Sequence, residues 1–392
     1  MKKIFLLIFS LLLVSPLFAA NVFTVDKDFI YLNGKKFIIK GVNYGFAYPG
    51  EMEWEYYSVK PFPKDVADRI IKDIKDIKSI NMNTIRIWEP LAVVCEQAKK
   101  NGLYIYYTLW WEMGADNFYT PGFLEKQKGF FRNYIDKLHN LNGVDYSDIV
   151  ISYALGNEIP EKCVKNNDKL NAGIDEYKGE YISALKGSTP TECFLAQLGD
   201  YVKIYEKETY GVTHLITYSN MQPTEPLLRT DFLDYISFNA YSYSVWCWYR
   251  GEKGSVTGSD YQGFIEWLRA KFPDKPLVFS EFGISTAPGI KREGPPNYSY
   301  GGCTEDDQAD GFSRMWRDMM TANRPVAGAI VFQYHDFWGH GWSDEPKEID
   351  KKYHDEKDAE EWFGIVGIYG TSPQDYKVVK KKAFFTLQKL FK

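Results

Sequence analysis

Two glutamates in this 392-residue chain stand where an apolar run stops abruptly at a carboxylate. Glu158 closes I-S-Y-A-L-G-N-E-I-P at residues 151–160, and Glu281 closes P-L-V-F-S-E-F-G at residues 276–283. Each run is strand-like, and each carboxylate has a glycine close by. Two carboxyl groups on facing strand ends can divide the cleavage of a glycosidic bond between them. One protonates the leaving oxygen while the other attacks the anomeric carbon. Either glutamate alone reads as a solvated loop edge; as a matched pair they read as catalytic.

Such a pair needs a scaffold that opens several strand ends onto one face. Strand-like runs occupy residues 36–44, 83–88, 103–109, 149–155, 214–219, 235–240, 276–280 and 326–332. Helical spacing of apolar residues marks 61–80, 91–100, 122–141, 194–209, 260–271, 306–322 and 376–391. Eight strands alternating with helices predict an α/β fold with a closed parallel sheet, the (β/α)8 or TIM barrel, in one domain over residues 21–392. Glu158 then ends strand four and Glu281 ends strand seven. Residues 22–32 read as a short lid hairpin with Asn33-Gly34 as its turn. The connection after strand five, around residues 224–228, is short and poor in helix signals. Long connections follow strand four (159–193), strand six (241–259), strand seven (282–305) and strand eight (333–375), while turns after helices, such as Asn101-Gly102 and Pro273-Asp274, are short. Long loops therefore gather on the C-terminal face of the barrel, with the two glutamates.

The motifs G-N-E at residues 156–158 and S-E-F-G at 280–283 resemble the signature of the clan A retaining glycoside hydrolases, whose catalytic domain is an eightfold α/β barrel. The likeness runs from F-I-I-K-G-V-N-Y (residues 37–44) to E-W-F-G-I-V-G-I-Y (residues 361–369). It implies Glu158 as acid/base, Asn157 as the ligand of the sugar 2-hydroxyl, and Glu281 as nucleophile. It implies also that Arg86, in N-T-I-R-I-W, holds the nucleophile ionised by charge pairing, and that Tyr241, in S-F-N-A-Y, touches it. G-V-N-Y, N-T-I-R-I-W and Trp110-Trp111 are similar to glycoside hydrolase family 5, whereas A-L-G-N-E, F-S-E-F-G and F-G-I-V-G are similar to family 2 catalytic barrels and family 72 glucanosyltransferases. Strand eight departs from the usual ending of the clan and reads Phe332-Gln333-Tyr334-His335-Asp336-Phe337-Trp338, which leaves Tyr334 or Trp338 as the aromatic floor of the central subsite. Trp110 and Trp246 are further candidates for stacking on sugar; Trp246 and Trp248 fit equally well as packing for their own loop.

Composition narrows the partners. A net charge of −5 carries no basic excess, so nucleic acid is not expected. Residues 1–20 have Lys2-Lys3, an apolar stretch at 4–14 and the small pair Ala19-Ala20, the layout of a secretory signal peptide, and no later stretch is long and apolar enough to span a bilayer. A periplasmic or extracellular location follows. Five cysteines, Cys95, Cys163, Cys193, Cys247 and Cys303, match no zinc spacing, and Cys163 with Cys193 is the favoured disulfide. His335, His340 and His354 lie near Asp336, Asp344 and Asp355, but their irregular spacing argues against a metal site. Asn297-Tyr298-Ser299 fits the glycan acceptor pattern, idle if the signal is bacterial.

The expectation is an exported, monomeric, retaining β-glycosidase without cofactor or metal. It would act on an oligo- or polysaccharide, a neutral β-linked glucan or mannan. A glucanosyltransferase would use the same two glutamates, with a sugar in place of water as acceptor. A non-catalytic carbohydrate-binding envelope protein is the alternative from another class.

Overall fold

The computed structural model describes residues 21–221, 228–242, 259–292, 300–339 and 351–392. Within them three short antiparallel strands come first: β1 (Phe23–Val25), β2 (Ile30–Leu32) and β3 (Lys35–Phe37). Asn33 and Gly34, at φ 50° and 76°, form the expected tight turn, which joins β2 to β3, so that the hairpin has a third strand beyond residue 32. The run at residues 36–44 accordingly splits, its start ending this small sheet and its remainder forming the first barrel strand, β4 (Ile39–Asn43).

The eight barrel strands are β4, β5 (Thr84–Ile87), β6 (Tyr104–Thr108), β7 (Val150–Asn157), β8 (Leu215–Asn220), β9 (Ile236–Asn239), β10 (Leu277–Phe282) and β11 (Gly328–Val331). All neighbours pair in parallel, and β11 returns to β4 to close the ring. The strands are short and almost wholly buried, as expected where helices cover one side and packed side chains fill the other. Helices α1 (Lys64–Ser79), α2 (Ala92–Lys100), α3 (Phe123–His139), α4 (Glu161–Leu170), α5 (Pro190–Tyr210), α6 (Asp260–Lys271), α7 (Glu305–Thr321) and α8 (Lys382–Leu390) lie between or after them. In α1 the stripe Ile70, Ile74 and Ile77, repeating at three to four residues, is buried against the barrel. Thr189 caps α5 by accepting from the Glu192 amide while the Glu192 carboxylate accepts from the Thr189 amide, which fixes where that helix starts.

The barrel interior has a distinct core of Ile39, Tyr106, Ile151, Val278 and Ile330, closed from below by Ile30, Phe23 and Phe37 of the small sheet. The N-terminal strands therefore plug the bottom of the barrel, leaving its top to the long connections.

The C-terminal part differs from expectation. Residues 376–391 are not one helix: Asp375–Lys380 is β13, paired antiparallel with β12 (Val366–Ser372), and only Lys382–Leu390 is helical. D-Y-K-V-V-K carries a tyrosine and two β-branched valines in six residues, which suits a strand. Cys163 and Cys193 are not bridged either; both are free and buried, packed as small apolar groups in the core between the barrel and its helices. Cys247 lies outside the described residues, as do the expected signal segment 1–20, the glycan pattern at Asn297 and most of the connection at 224–228.

Candidate active site

The strand that carries Glu158 bends before it ends. Pairing between β7 and β8 slips between Ala154 and Asn157, and Gly156 takes φ 93°. A side chain at Gly156 would run into Met113 Sδ at 2.5 Å and Trp111 Nε1 at 2.7 Å, so only glycine fits. Two residues on, Glu158 itself sits at φ 49°, a left-handed conformation that costs a non-glycine residue of order 1–3 kcal/mol. The backbone is held there by the Glu158 amide donating to the Ser219 carbonyl (3.0 Å) and the Ile159 amide donating to the Tyr218 hydroxyl oxygen (2.6 Å). This bulge turns Glu158 toward the mouth of the barrel rather than along the strand.

Glu281 also sits at an irregularity: the pairing of β10 slips between Phe279 and Glu281 against β9, and between Phe279 and Phe282 against β11. Arg86, fully buried on β5, donates from Nη1 to Glu281 Oε1 at 2.7 Å, and the Tyr241 hydroxyl donates to Oε2 at 2.6 Å. The same guanidinium donates from Nη2 to Asn157 Oδ1 (2.8 Å), from Nη1 to the Ser280 carbonyl (3.1 Å) and from Nε to Thr108 Oγ1 (2.9 Å). Arg86 thus clasps the G-N-E and S-E-F-G motifs together. Asn239, at the end of β9, completes the bridge: its Nδ2 donates to Glu158 Oε1 (2.8 Å) and Asn157 Oδ1 (3.1 Å), and its Oδ1 accepts from Ser280 Oγ (2.7 Å).

These contacts separate the two carboxyls chemically. Burial pushes Glu158 up to about 7, and the nearby Glu281 charge pushes it the same way, against the opposing hydrogen bond from Asn239. Burial raises Glu281 too, and it stays above the usual carboxylate range although Arg86 and the Tyr241 hydroxyl act against the rise. Arg86 bonds Glu281 and not Glu158, so of the two carboxyls Glu281 is the one with a cation in direct contact to favour its charge.

The sequence matches no protein-family model and no curated protein. Solved structures do match in shape. The GH2 β-galacturonidase of Eisenbergiella tayi, in a complex with galacturonate, aligns over 94% of this chain and 53% of its own, with a TM-score of 0.60 and 13% identity. The β-glucuronidase of Ruminococcus gnavus aligns over 95% and 53% (TM-score 0.59, 15% identity), and that of Bacteroides uniformis over 95% and 37% (TM-score 0.59, 15% identity). The likeness is one of fold. This chain shares its barrel fold with those proteins over nearly all of its own length, and it spans about half or less of theirs.

The remaining candidates scatter. Trp110 is half-buried at the end of β6 and stacks on Trp88 with centroids 5.1 Å apart; Arg86 lies 4.3 Å from the Trp88 ring, so this aromatic pair borders the site. Its neighbour Trp111 is buried among Phe118 and Phe194 and donates to the Leu155 carbonyl, a packing role. Neither residue expected to form the aromatic floor does so. Tyr334 is buried beside Tyr44, its hydroxyl 3.4 Å from Asp73 of α1, and Trp338 is buried with Tyr48 and Ile368 at the β12–β13 hairpin. Trp246, Trp248, Trp342, His340 and Asp344 lie outside the described residues. His335 and His354 are packed separately, the latter stacked 3.5 Å from Trp362, and among the described residues no group of three metal-ligating side chains assembles.

The ring that strand eight does bring beside Tyr241 is Phe332. Half-buried, it meets Tyr241 at 6.4 Å and Phe363 at 5.4 Å, and Phe363 lies 5.7 Å from Tyr241. Ile330 faces the barrel interior, so counting by two along β11 reaches Phe332 as the next inward side chain. That alternation, and the matching place of Asn239 at the end of strand six, are the signals available in the sequence. Glu360 and Tyr300, which hydrogen-bond each other, extend the wall from two long loops, and Glu360 also acts on Glu158 by charge repulsion.

Proposed function

We propose that this chain is a retaining β-glycosidase acting on a neutral β-linked glucan or mannan. Glu281 attacks the anomeric carbon and forms a covalent glycosyl-enzyme while Glu158 gives its proton to the departing oxygen. Glu158 then takes a proton from the incoming acceptor, water for hydrolysis or a sugar hydroxyl for transfer. The observation that carries this reading is the Arg86 clasp, which sets a cation directly against Glu281 and not against Glu158, and so supports Glu281 as the anion and Glu158 as the proton carrier. Two differently partnered carboxyls in one barrel mouth also argue against a purely binding protein.

The solved neighbours are named for uronides, but a sugar carboxylate would here enter a mouth that already holds Glu158, Glu281 and Glu360, which favours a neutral ring. Asn157 supports the assignment as well: its amide oxygen already accepts from Arg86 and Asn239, so a ligand hydroxyl would be met by its NH2. The stacked Trp88 and Trp110, and Phe332, supply flat apolar faces for pyranose rings. We further propose export by the segment at residues 1–20, on its charge and apolar pattern.

Hydrolysis of 4-nitrophenyl β-glucoside, β-mannoside and β-glucuronide, with dyed β-glucan and β-mannan, tests the reading. Turnover of a neutral substrate is expected. Trapping with a 2-deoxy-2-fluoro glycosyl fluoride should leave the sugar on Glu281, located by peptide mass. A protein inert on the whole set would end the proposal, and chain-lengthened products from one pure donor would make it a transglycosylase.

A further inference from the structure

One polar side chain at the barrel mouth has nothing to bond. Asn43 is 3% exposed, yet neither its Nδ2 nor its Oδ1 has a hydrogen-bond partner. Buried amides are nearly always satisfied, since burying one unpaired costs more than most surface contacts return. The backbone of Asn43 is in order: its carbonyl accepts from the Tyr334 amide at 3.0 Å. The vacancy is confined to the side chain.

Register shows where that side chain points. Gly41 pairs with Thr84 and Asn43 with Arg86 across β4 and β5. A Cβ at Gly41 would lie 3.0 Å from Ile330 of the barrel interior, while Val42 belongs to the outer core. By alternation Asn43 projects inward, one layer above Gly41 and level with Arg86. On its other flank β11 pairs Val331 with Val42, so the next residue, Phe332, comes opposite Asn43. Asn43 therefore stands between the guanidinium that clasps Glu281 and the Phe332 ring, two strands from Glu281 and three from Glu158. That is the side of the nucleophile, where the sugar to be transferred must sit.

We propose that Asn43 is a substrate-binding residue which takes two neighbouring hydroxyls of the glycone, one donating to Oδ1 and one accepting from Nδ2. A primary amide offers a donor and an acceptor side by side, the complement of a vicinal diol. Glucose and mannose carry the same pair at carbons 3 and 4 and differ at carbon 2, so one amide in this position serves both. The inference rests on the glycosidase reading and names the part of the ring that the site grips.

A group kept unpaired for a ligand destabilises the empty protein, which gives the test a readout independent of activity. Asn43→Leu keeps the branching and the number of heavy atoms and removes the amide. Its ligand-free melting temperature should equal that of the wild type or exceed it by about 1–3 °C. Its affinity for isofagomine, a glucose-shaped imino sugar, should fall by about 10- to 100-fold in calorimetry, with a similar fall in kcat/KM on 4-nitrophenyl β-glucoside. Asn43→Asp, which keeps the acceptor and loses the donor, should also lose affinity. A lower ligand-free melting temperature for Asn43→Leu, or unchanged isofagomine binding in both variants, would overturn the assignment. The glycosidase reading fails elsewhere, in a wild-type protein that neither cleaves β-glycosides nor binds isofagomine. The melting comparison decides the place of Asn43 in either case.

Discussion

Glu158 and Glu281 differ most in what can replace them. On the proposed mechanism no glycosyl-enzyme can form in Glu281→Ala, and azide entering the gap should yield a glycosyl azide of inverted configuration. In Glu158→Ala a dinitrophenyl glycoside needs little protonation and still loads Glu281, after which azide gives the retained anomer. On polymer Glu158→Ala should lose about 10²- to 10⁴-fold. Product configuration by NMR checks the roles, which would be reversed or void if both variants gave one anomer. The pH profile belongs to the same pair. Glu158 acts as an acid only while protonated, so kcat/KM should fall as pH rises through about 7, and should fall again on the acid side as Glu281 takes a proton. A rate still climbing at pH 9 would remove Glu158 from that role. The place of both glutamates at strand ends was legible in the sequence because each is a charge at the end of an apolar run. Asn239, Phe332 and Asn43 were not, since an amide or a ring at a strand end looks the same whether it faces the barrel axis or a helix. Tyr334 and Trp338 went wrong for that reason: residue type suggested a platform, and the Tyr44–Asp73 pocket and the C-terminal hairpin took the rings instead.

At the scale of elements, the strands and most helices were readable from periodicity, and the errors fell where an element stands outside the alternating pattern. The β12–β13 hairpin is one such case, and α4, buried in a long connection, is another. A contact invisible in sequence joins α3, α5, β7 and the residue just before β8 on the flank of the barrel. Glu206 Oε1 accepts from the Tyr153 hydroxyl (2.7 Å) and lies 2.7 Å from His214 Nδ1 and 3.2 Å from His139 Nε2, while His139 Nδ1 is 3.1 Å from Asp145. Burial opposes charge on His139, but its two acidic partners outweigh it and raise the ring from 6.5 to about 9. Burial likewise opposes charge on Glu206, and the histidines hold it down at about 2. The raised histidine adds stability that is full below pH 6.5 and is lost as pH rises toward 9; the depressed glutamate adds stability that is lost as pH falls from its ordinary range toward 2. Glu206→Gln should cost about 3 kcal/mol at pH 7, by the usual penalty for breaking a buried pair, and should flatten the alkaline decline. Urea unfolding at pH 6, 7.5 and 9 measures both, and parallel profiles for the two proteins would refute the account.

For the molecule as a whole, the division of labour between the two ends of the barrel is the organising fact. Ile30, fully buried in the plug beneath the barrel, should tolerate no truncation: Ile30→Ala is expected to lose about 2–4 kcal/mol of stability while kcat/KM at 25 °C stays within twofold of wild type. Denaturant unfolding alongside kinetics tests this, and a large loss of kcat/KM in protein that is still folded would show the two ends to be coupled. Arg86 sets the opposite end apart in time as well as in space. Its partners Asn157 and Glu281 lie 71 and 195 residues away along the chain, so its bonds exist only when strands two, four and seven share one ring. Contacts of such separation form late, because loop closure must come first. Catalysis is then a witness to closure: during refolding, helix content and tryptophan fluorescence should recover ahead of turnover, and a variant that slows the joining of β11 to β4 should delay enzymatic activity while leaving the earlier signals on time.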